Sequence, residues 1–270
     1  MAIAAAGASV PCVRLLDHHS DPDHHRTVLT LAGAPGSLHE AVTRVAATAL
    51  ESIDLLNHDG AHPWIGAIDV APIVYLEQAE QGVACAEALT LGDRLGTELE
   101  LPVFLYGVLS GSAVTRADIR RGGQGRLRAR LEAGELTPDF GPHRLHPRGG
   151  AVLVAARPPL VAFNVELAPP ADLLTAKRIA AEIRDGAERG LPTLRAIGLE
   201  LAHRDGVAQV SMNLEDHAAV SLAEIVATIS RYARPVRAEL VGLAPRVAFD
   251  GFPADLPVAN LRFIEDALGA

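Results

Sequence analysis

Residues 194–214 read LRAIGLELAHRDGVAQVSMNL. Two apolar runs, Leu194–Leu201 and Val207–Leu214, flank His203-Arg204-Asp205-Gly206. Asp-Gly between such runs signals a β-hairpin, because Gly accepts the positive φ that the turn needs. The pattern extends on both sides. Leu160–Leu167 (LVAFNVEL) is rich in Val, Leu and Phe and reads as a strand. Asp172–Arg189 reads as a helix, with Ala176, Ala180, Ile183 and Ala187 at helical spacing and Gly190 and Pro192 to end it. Ser221–Ala233 is a second helix, with Ser221 and Glu224 at capping-box spacing and Pro235 as its stop. Val236–Leu243 is the last strand, and a closing helix is expected near Pro257–Leu268. The order is β-α-β-β-α-β, a ferredoxin-like (split βαβ) pattern.

The first half holds similar parts in a less complete order. Val10–Leu16, Thr27–Leu31, Ile68–Leu76 and Pro102–Tyr106 read as strands. Ser37–Asp54 reads as a helix with a Ser37/Glu40 capping pair, and Ala79–Glu100 as another with Ala84, Ala88, Leu91, Leu95 and Leu99 on one face. Thr137–Gly150 (TPDFGPHRLHPRGG) is dense in Pro, Gly and His and reads as a long loop. Long loops in compact domains are often functional. Arg157-Pro158-Pro159 separates two strand-like runs. The expectation is an α+β protein of two ferredoxin-like lobes packed side by side, residues 1–158 and 159–270, with the N-terminal lobe incomplete.

Of the 270 residues, 49% are apolar and 21% charged, which fits a globular protein with an aliphatic core. The net charge is −9. No basic face is evident beyond Arg120, Arg121, Arg126, Arg128 and Arg130, which read as a solvated helix and loop, so no nucleic-acid partner is expected. No run approaches the ~20 apolar residues of a membrane helix. The first residues, MAIAAAGASVPCV, carry no Lys or Arg ahead of the apolar stretch and make a poor signal peptide. Two cysteines give no disulfide framework. A cytoplasmic protein is expected.

The eleven histidines cluster. Four lie in Asp17–Arg26 (DHHSDPDHHR), two in His58–Pro63 (HDGAHP) and a pair, His143 and His146, in the long loop. His58 and His62 are four apart, which would suit two zinc ligands on one helix face, but Gly60 and Pro63 argue against a helix there. Local turn hydrogen bonding and general acid–base work are the other readings, since His exchanges a proton near neutrality. There is no nucleophile elbow, phosphate loop or dinucleotide fingerprint.

At these motifs the sequence resembles the glutamate formiminotransferase family. His58–Val70 (HDGAHPWIGAIDV) resembles its active-site segment, roughly H-x-G-x-H-P-R-[MI]-G-A-x-D-V, with Trp64 standing where the pattern has Arg. Leu15–Val28 resembles an LLDxxxDPDxNRTV-type segment, and Pro138–Ala151 the folate-binding loop. Leu160–Val165, Val207–Leu214 and Glu239–Leu243 match the C-terminal part in order and spacing. The family opens with an E-C-V-P-N-F-S-E-G strand and a helix. Here Pro11-Cys12-Val13 aligns with the second strand, so the first strand and helix are expected to be missing. The resemblance implies transfer of a formimino group from N-formimino-L-glutamate to N5 of tetrahydrofolate, in histidine breakdown and one-carbon metabolism. It implies His62 as the catalytic proton shuttle. Asp17, His19, His25, Arg26, Gly60 and Gly66 would bind the formimino donor. Gly141, Pro142, His143, Arg144, Leu145, His146, Pro147, Arg148, Gly149 and Gly150 would line tetrahydrofolate, the co-substrate. No metal is expected, and a homodimer is. Two other readings stay open: a homologue that binds folate without transferring the group, and a metal-dependent hydrolase.

Overall fold

In a computed structural model the chain is described over residues 2–58 and 63–269. It is a mixed α+β protein that divides into two compact units, 1–15 with 31–158, and 16–30 with 159–270. The elements in chain order begin with α1 (Ala2–Ala8), β1 (Val13–Asp21), β2 (Arg26–Gly33) and α2 (Leu38–Ser52). Next come β3 (Val70–Val74), α3 (Gln81–Glu98), β4 (Val103–Leu105), α4 (Arg116–Arg120), α5 (Gly123–Glu132) and β5 (Val152–Arg157). The second half supplies β6 (Val161–Leu167), α6 (Leu173–Ile183), β7 (Leu194–Leu201) and β8 (Val207–Leu214). It ends with α7 (Leu222–Ser230), β9 (Pro235–Val241), β10 (Val258–Ala259) and α8 (Ile264–Leu268). A helix, α1, thus precedes the strand that follows Pro11.

In the first unit β5 is the central strand of a parallel sheet ordered β3-β5-β4. Its residues alternate between two apolar layers. Val152, Val154 and Ala156 meet the stripe Ala84, Ala88, Leu91 and Leu95 of α3. Leu153 and Ala155 meet Ile119 of α4 and Leu127 of α5. A strand covered on both faces must be apolar at nearly every position, as VLVAAR is. This all-parallel sheet differs from the antiparallel pattern of the other unit.

The cap of α2 departs from the capping box read in the sequence. Ser37 sits in a helical conformation, makes no side-chain cap bond, and donates to Ala34 O instead. Glu87, buried on α3, takes its place. Its carboxylate accepts from the backbone N–H groups of Gly36, Leu38 and His39 at 3.0, 2.7 and 3.1 Å. A carboxylate at a helix N-terminus satisfies free donors and suits the helix dipole.

In the second unit the sheet order is β10-β9-β6-β8-β7. β6 pairs antiparallel with β8 and β9, and β7 with β8. Val161, Phe163, Val165 and Leu167 of β6 point into the core with Ala176, Ile179 and Ile183 of α6 and Ile225 and Ile229 of α7. The hairpin turn has Asp205 at φ 52° and Gly206 at φ 75°. Two expected helices come out shorter. α6 ends at Ile183, because the chain turns back at Gly186 (φ 83°) and Asp185 N–H bonds Leu194 O. The region 257–268 is helical only in α8. Val258–Ala259 pairs in parallel with β9 instead, and Asn260 at φ 56° breaks the backbone after it.

The two readings of the α2 cap separate by mutation. Glu87→Ala should cost about 2–3 kcal/mol, the range for several bonds to a charged acceptor, whereas Ser37→Ala should cost under about 0.5 kcal/mol, as for ordinary surface changes. Urea unfolding of both variants measures the difference.

Candidate active site

His62 and Gly60 lie outside the described residues. The segments on either side of them are described. His58 follows a short 3-10 turn, Leu55–Asn57, and its own backbone is extended. Its ring packs edge-on against Trp64 with centroids 4.6 Å apart.

Beyond Pro63 the chain is fastened at almost every residue. Asp69 does most of this work. One carboxylate oxygen accepts Ile65 N–H at 2.9 Å, and the other pairs with Arg120 of α4. Ile65 O accepts Ala151 N–H at 3.0 Å, and Ala67 N–H reaches Gly149 O at 2.9 Å. Gly66 and Gly150 bridge antiparallel between them. The approach requires glycine on both sides. A Cβ on Gly66 would stand 1.8 Å from Ala151 O, and one on Gly150 would stand 2.2 Å from Ile65 O. The segment that leaves His62 is therefore bound to the end of the 141–150 loop.

That loop is itself anchored at both ends. Phe140 lies against Gly92 and Gly96 of α3, where a Cβ would come within 2.9–3.0 Å of its side chain. Asp139 accepts Leu105 N–H at 2.7 Å. At the far end His146 and Gly150 exchange two backbone bonds of 2.9 Å, and Gly149 N–H donates to His146 Nδ1 at 2.8 Å. Burial lowers the His146 pKa, with Arg148 and Arg144 adding to the shift and Glu100 opposing it. The ring is neutral at pH 7, as an acceptor nitrogen must be. His143, Arg144, Pro147 and Arg148 are exposed, Pro142, Leu145 and His146 half-buried, and Gly149 and Gly150 buried.

The other predicted residues belong to the second unit. Asp17, His19 and Asp21 alternate on one face of β1. Asp17 is buried and pairs with Arg262. Asp21 is bound by His24, through N–H to Oδ1 at 2.9 Å and Nδ1 to Oδ2 at 3.1 Å. Burial pushes the Asp21 pKa up, but the His24 bonds and charge outweigh it and hold the carboxyl well below its ordinary range. His25 turns the chain at φ 48° and is exposed, and Arg26 opens β2 half-buried. The structure thus gathers Gly66 with 141–150 in one unit and Asp17, His19, His25 and Arg26 in the other.

Sequence reasoning missed Arg120. It lies in an arginine run that reads as solvated, yet its side chain is mostly buried against Asp69. Arg130 of the same run donates to Asp118 O at 2.9 Å. No spacing signal links Arg120 to Asp69, because the two meet only through the fold.

Gly66→Ala should break the bridge to Gly150 and cost more than about 2 kcal/mol through forced backbone displacement, read from thermal unfolding. The His146 bond carries a pH signature. Its pKa is depressed in the folded chain, so the stability it contributes is present above the unfolded value near 6.5. It is lost as pH falls through the folded value. The protection factor of the Gly149 amide, taken against its intrinsic exchange rate at each pH, should therefore fall on acidification below about 6.5, the reference value for His. In His146→Ala it should show no such step.

The described residues contain no helix long and apolar enough to cross a membrane. A family model for the formiminotransferase domain, N-terminal subdomain, matches residues 1–157. The chain is 36% identical to a glutamate formimidoyltransferase of Streptococcus pyogenes serotype M1 over 253 residues, 91% of this chain and 84% of that one. It is 32% identical to a glutamate formimidoyltransferase of Thermoplasma acidophilum over 256 residues, 91% of this chain and 83% of that one. Against a formimidoyltransferase-cyclodeaminase of Mus musculus it is 36% identical over 259 residues, 90% of this chain but 47% of the longer protein. With the subdomain model covering more than half of its length and relatives aligned along nearly all of it, the chain belongs to the formiminotransferase family.

Proposed function

We propose that the chain is a transferase that moves a formimino group from N-formimino-L-glutamate to N5 of tetrahydrofolate, with His62 as its proton shuttle. The observation that carries this reading is the bonding of residues 65–67 to Gly149–Ala151. It ties the segment leaving His62 to the loop read as the folate site. Folate N5 attacks the formimino carbon and gives a tetrahedral centre. His62 takes the N5 proton and returns it to the glutamate nitrogen as the old C–N bond breaks. A single imidazole serves both steps when its pKa lies near the working pH. The loop Gly141–Gly150, with Pro142, His143, Arg144, Leu145, His146, Pro147, Arg148 and Gly149 between, lines the pterin. Gly60 and Gly66 belong to the donor-binding set in this reading.

Asp17, His19, His25 and Arg26 line the donor side. A guanidinium fork at Arg26 suits a carboxylate of the donor. The strand order β9-β6-β8-β7 supports reading the second unit as a ferredoxin-like lobe. The protein works in the cytoplasm as a homodimer. Light scattering at micromolar concentration should return twice the chain mass, and a monomer would remove that part of the reading.

His62→Ala should lower kcat for formimino transfer by at least about 10²-fold, the scale of a lost acid–base group. Tetrahydrofolate should still raise its Tm, because a ligand stabilises whatever state binds it. Unchanged kcat would overturn the role of His62. Folate stabilisation without any transfer by the wild-type chain would favour a homologue that binds but does not catalyse.

A further inference from the structure

The face of the second unit's sheet opposite its apolar core is polar and buried. It carries Asn164 and Glu166 on β6, Gln209 and Ser211 on β8, and Glu239 on β9. Residues 16–30 pack over this face. Asp23 accepts His203 N–H at 2.7 Å, Asp17 pairs with Arg262, and Val28 and Thr30 approach Gly242. Among the described residues, several polar groups of this face and of the segment beside it lack partners. Gln209 is fully buried and neither amide atom is hydrogen-bonded. Asn164 Oδ1 and His19 Nε2 are in the same condition, and His19 is only 8% exposed. Buried polar groups are normally satisfied, so such a group points to an occupant.

We propose that His19, Asp21 and Glu239 bind a divalent cation of the Zn2+ class. One donor atom from each lies within 4.8 Å of the other two. An ion at ~2.0–2.2 Å from nitrogen and oxygen donors needs them roughly 3–4 Å apart, which small side-chain rotations reach. His19 and Asp21 are two apart on one strand and so share a face. Glu239 comes from the far end of the chain, which is why no spacing in the sequence announces the set and why no metal is expected from it.

The surroundings orient the donors. Asn164 Nδ2 donates to Glu239 Oε2 and Asn260 Nδ2 to Oε1, each at 3.2 Å. Such amide bonds hold a ligating carboxylate in place while leaving it lone pairs for the ion. His24 does the same for Asp21, through its backbone N–H and its ring. Arg204 lies 3.9 Å from Glu239, but its guanidinium is taken up by Glu166, which also accepts from Arg237 at 3.0 Å. One imidazole and two carboxylates suit Zn2+ or Mn2+ better than Mg2+ or Ca2+, which prefer all-oxygen shells. Three protein donors leave a coordination position open for water or a small-molecule donor group. His19 then lines the donor side through the ion it holds. The site does not depend on the transfer reading and is tested apart from it.

The full chain is stripped with EDTA and titrated with ZnCl2 and MnCl2 by calorimetry. The expected result is saturation at one equivalent of Zn2+ with a rise in Tm that EDTA reverses. His19→Ala and Glu239→Gln should each weaken binding about tenfold or more, as ligand-shell changes do. His217→Ala, elsewhere in the same unit, should bind as the wild type does. Circular dichroism checks the fold of each variant. For any variant that fails to fold, the His19 ring signals of the wild-type chain decide: a shift on adding Zn2+ supports the site, and unmoved signals overturn it. No saturable binding by the wild type, the result if water alone fills this face, overturns the proposal. So does undiminished binding by a folded His19→Ala.

Discussion

Two glycines facing each other across one bridge organise the first unit. Gly66 and Gly150 bring backbone within a distance that no side chain on either would permit. Everything around them serves that approach. Asp69 bends the chain back onto Ile65 N–H, and Arg120 neutralises Asp69 from α4. His146 holds Gly149 from the other side. Behind the bridge β5 begins at Val152, so its register with β3 and β4 continues the same hydrogen bonding into the core. A candidate catalytic segment and a candidate binding loop, more than one element apart in sequence, are thereby held as one object. A site fixed by short backbone contacts is more precise than one resting on side chains at the ends of free loops.

Much of the second unit could be read from pattern alone. Both strands of its hairpin match their expected bounds, because Asp205-Gly206 sits between runs with clear strand composition. Local chemistry was enough there. It failed where tertiary contacts replaced local ones. Ser37 and Glu40 have capping-box spacing, but Glu87, from another helix, supplies the cap. Arg120 lies in a run that looks solvated, yet it meets a carboxylate that no sequence offset relates to it. Val258–Ala259 forms an edge strand because β9 offers a free edge, which outweighs any helical tendency of so short a run.

The same division applies to the candidate site residues. The glycines of the loop were legible, since closely spaced Gly, Pro and His mark a segment with special backbone geometry. The electrostatic setting of the donor-side residues was not. Asp17 meets Arg262 and Asp23 meets His203, each across most of the chain's length. Buried carboxylates need such partners, because desolvation alone would drive them to protonate. The aspartates of segment 16–30 are thus met by donors from far along the chain, Arg262 and His203.

Residues 16–30 are joined covalently to elements of the first unit, yet they pack with residues 159–270. His19 and Asp21 approach Glu239, one of the buried polar side chains of that unit's sheet face. A fragment cut at Pro158–Pro159 would keep the whole five-stranded sheet of the second unit and its helices α6, α7 and α8. It would nevertheless lose His19 and Asp21, together with Asp17 and Asp23, and leave Arg262 and His203 without the carboxylates they bind. The apolar core of that half is local in sequence, but its polar face is completed only by a hairpin from the beginning of the chain. Asp17, His19, His25 and Arg26 are part of that hairpin, so their setting forms only together with residues 159–270.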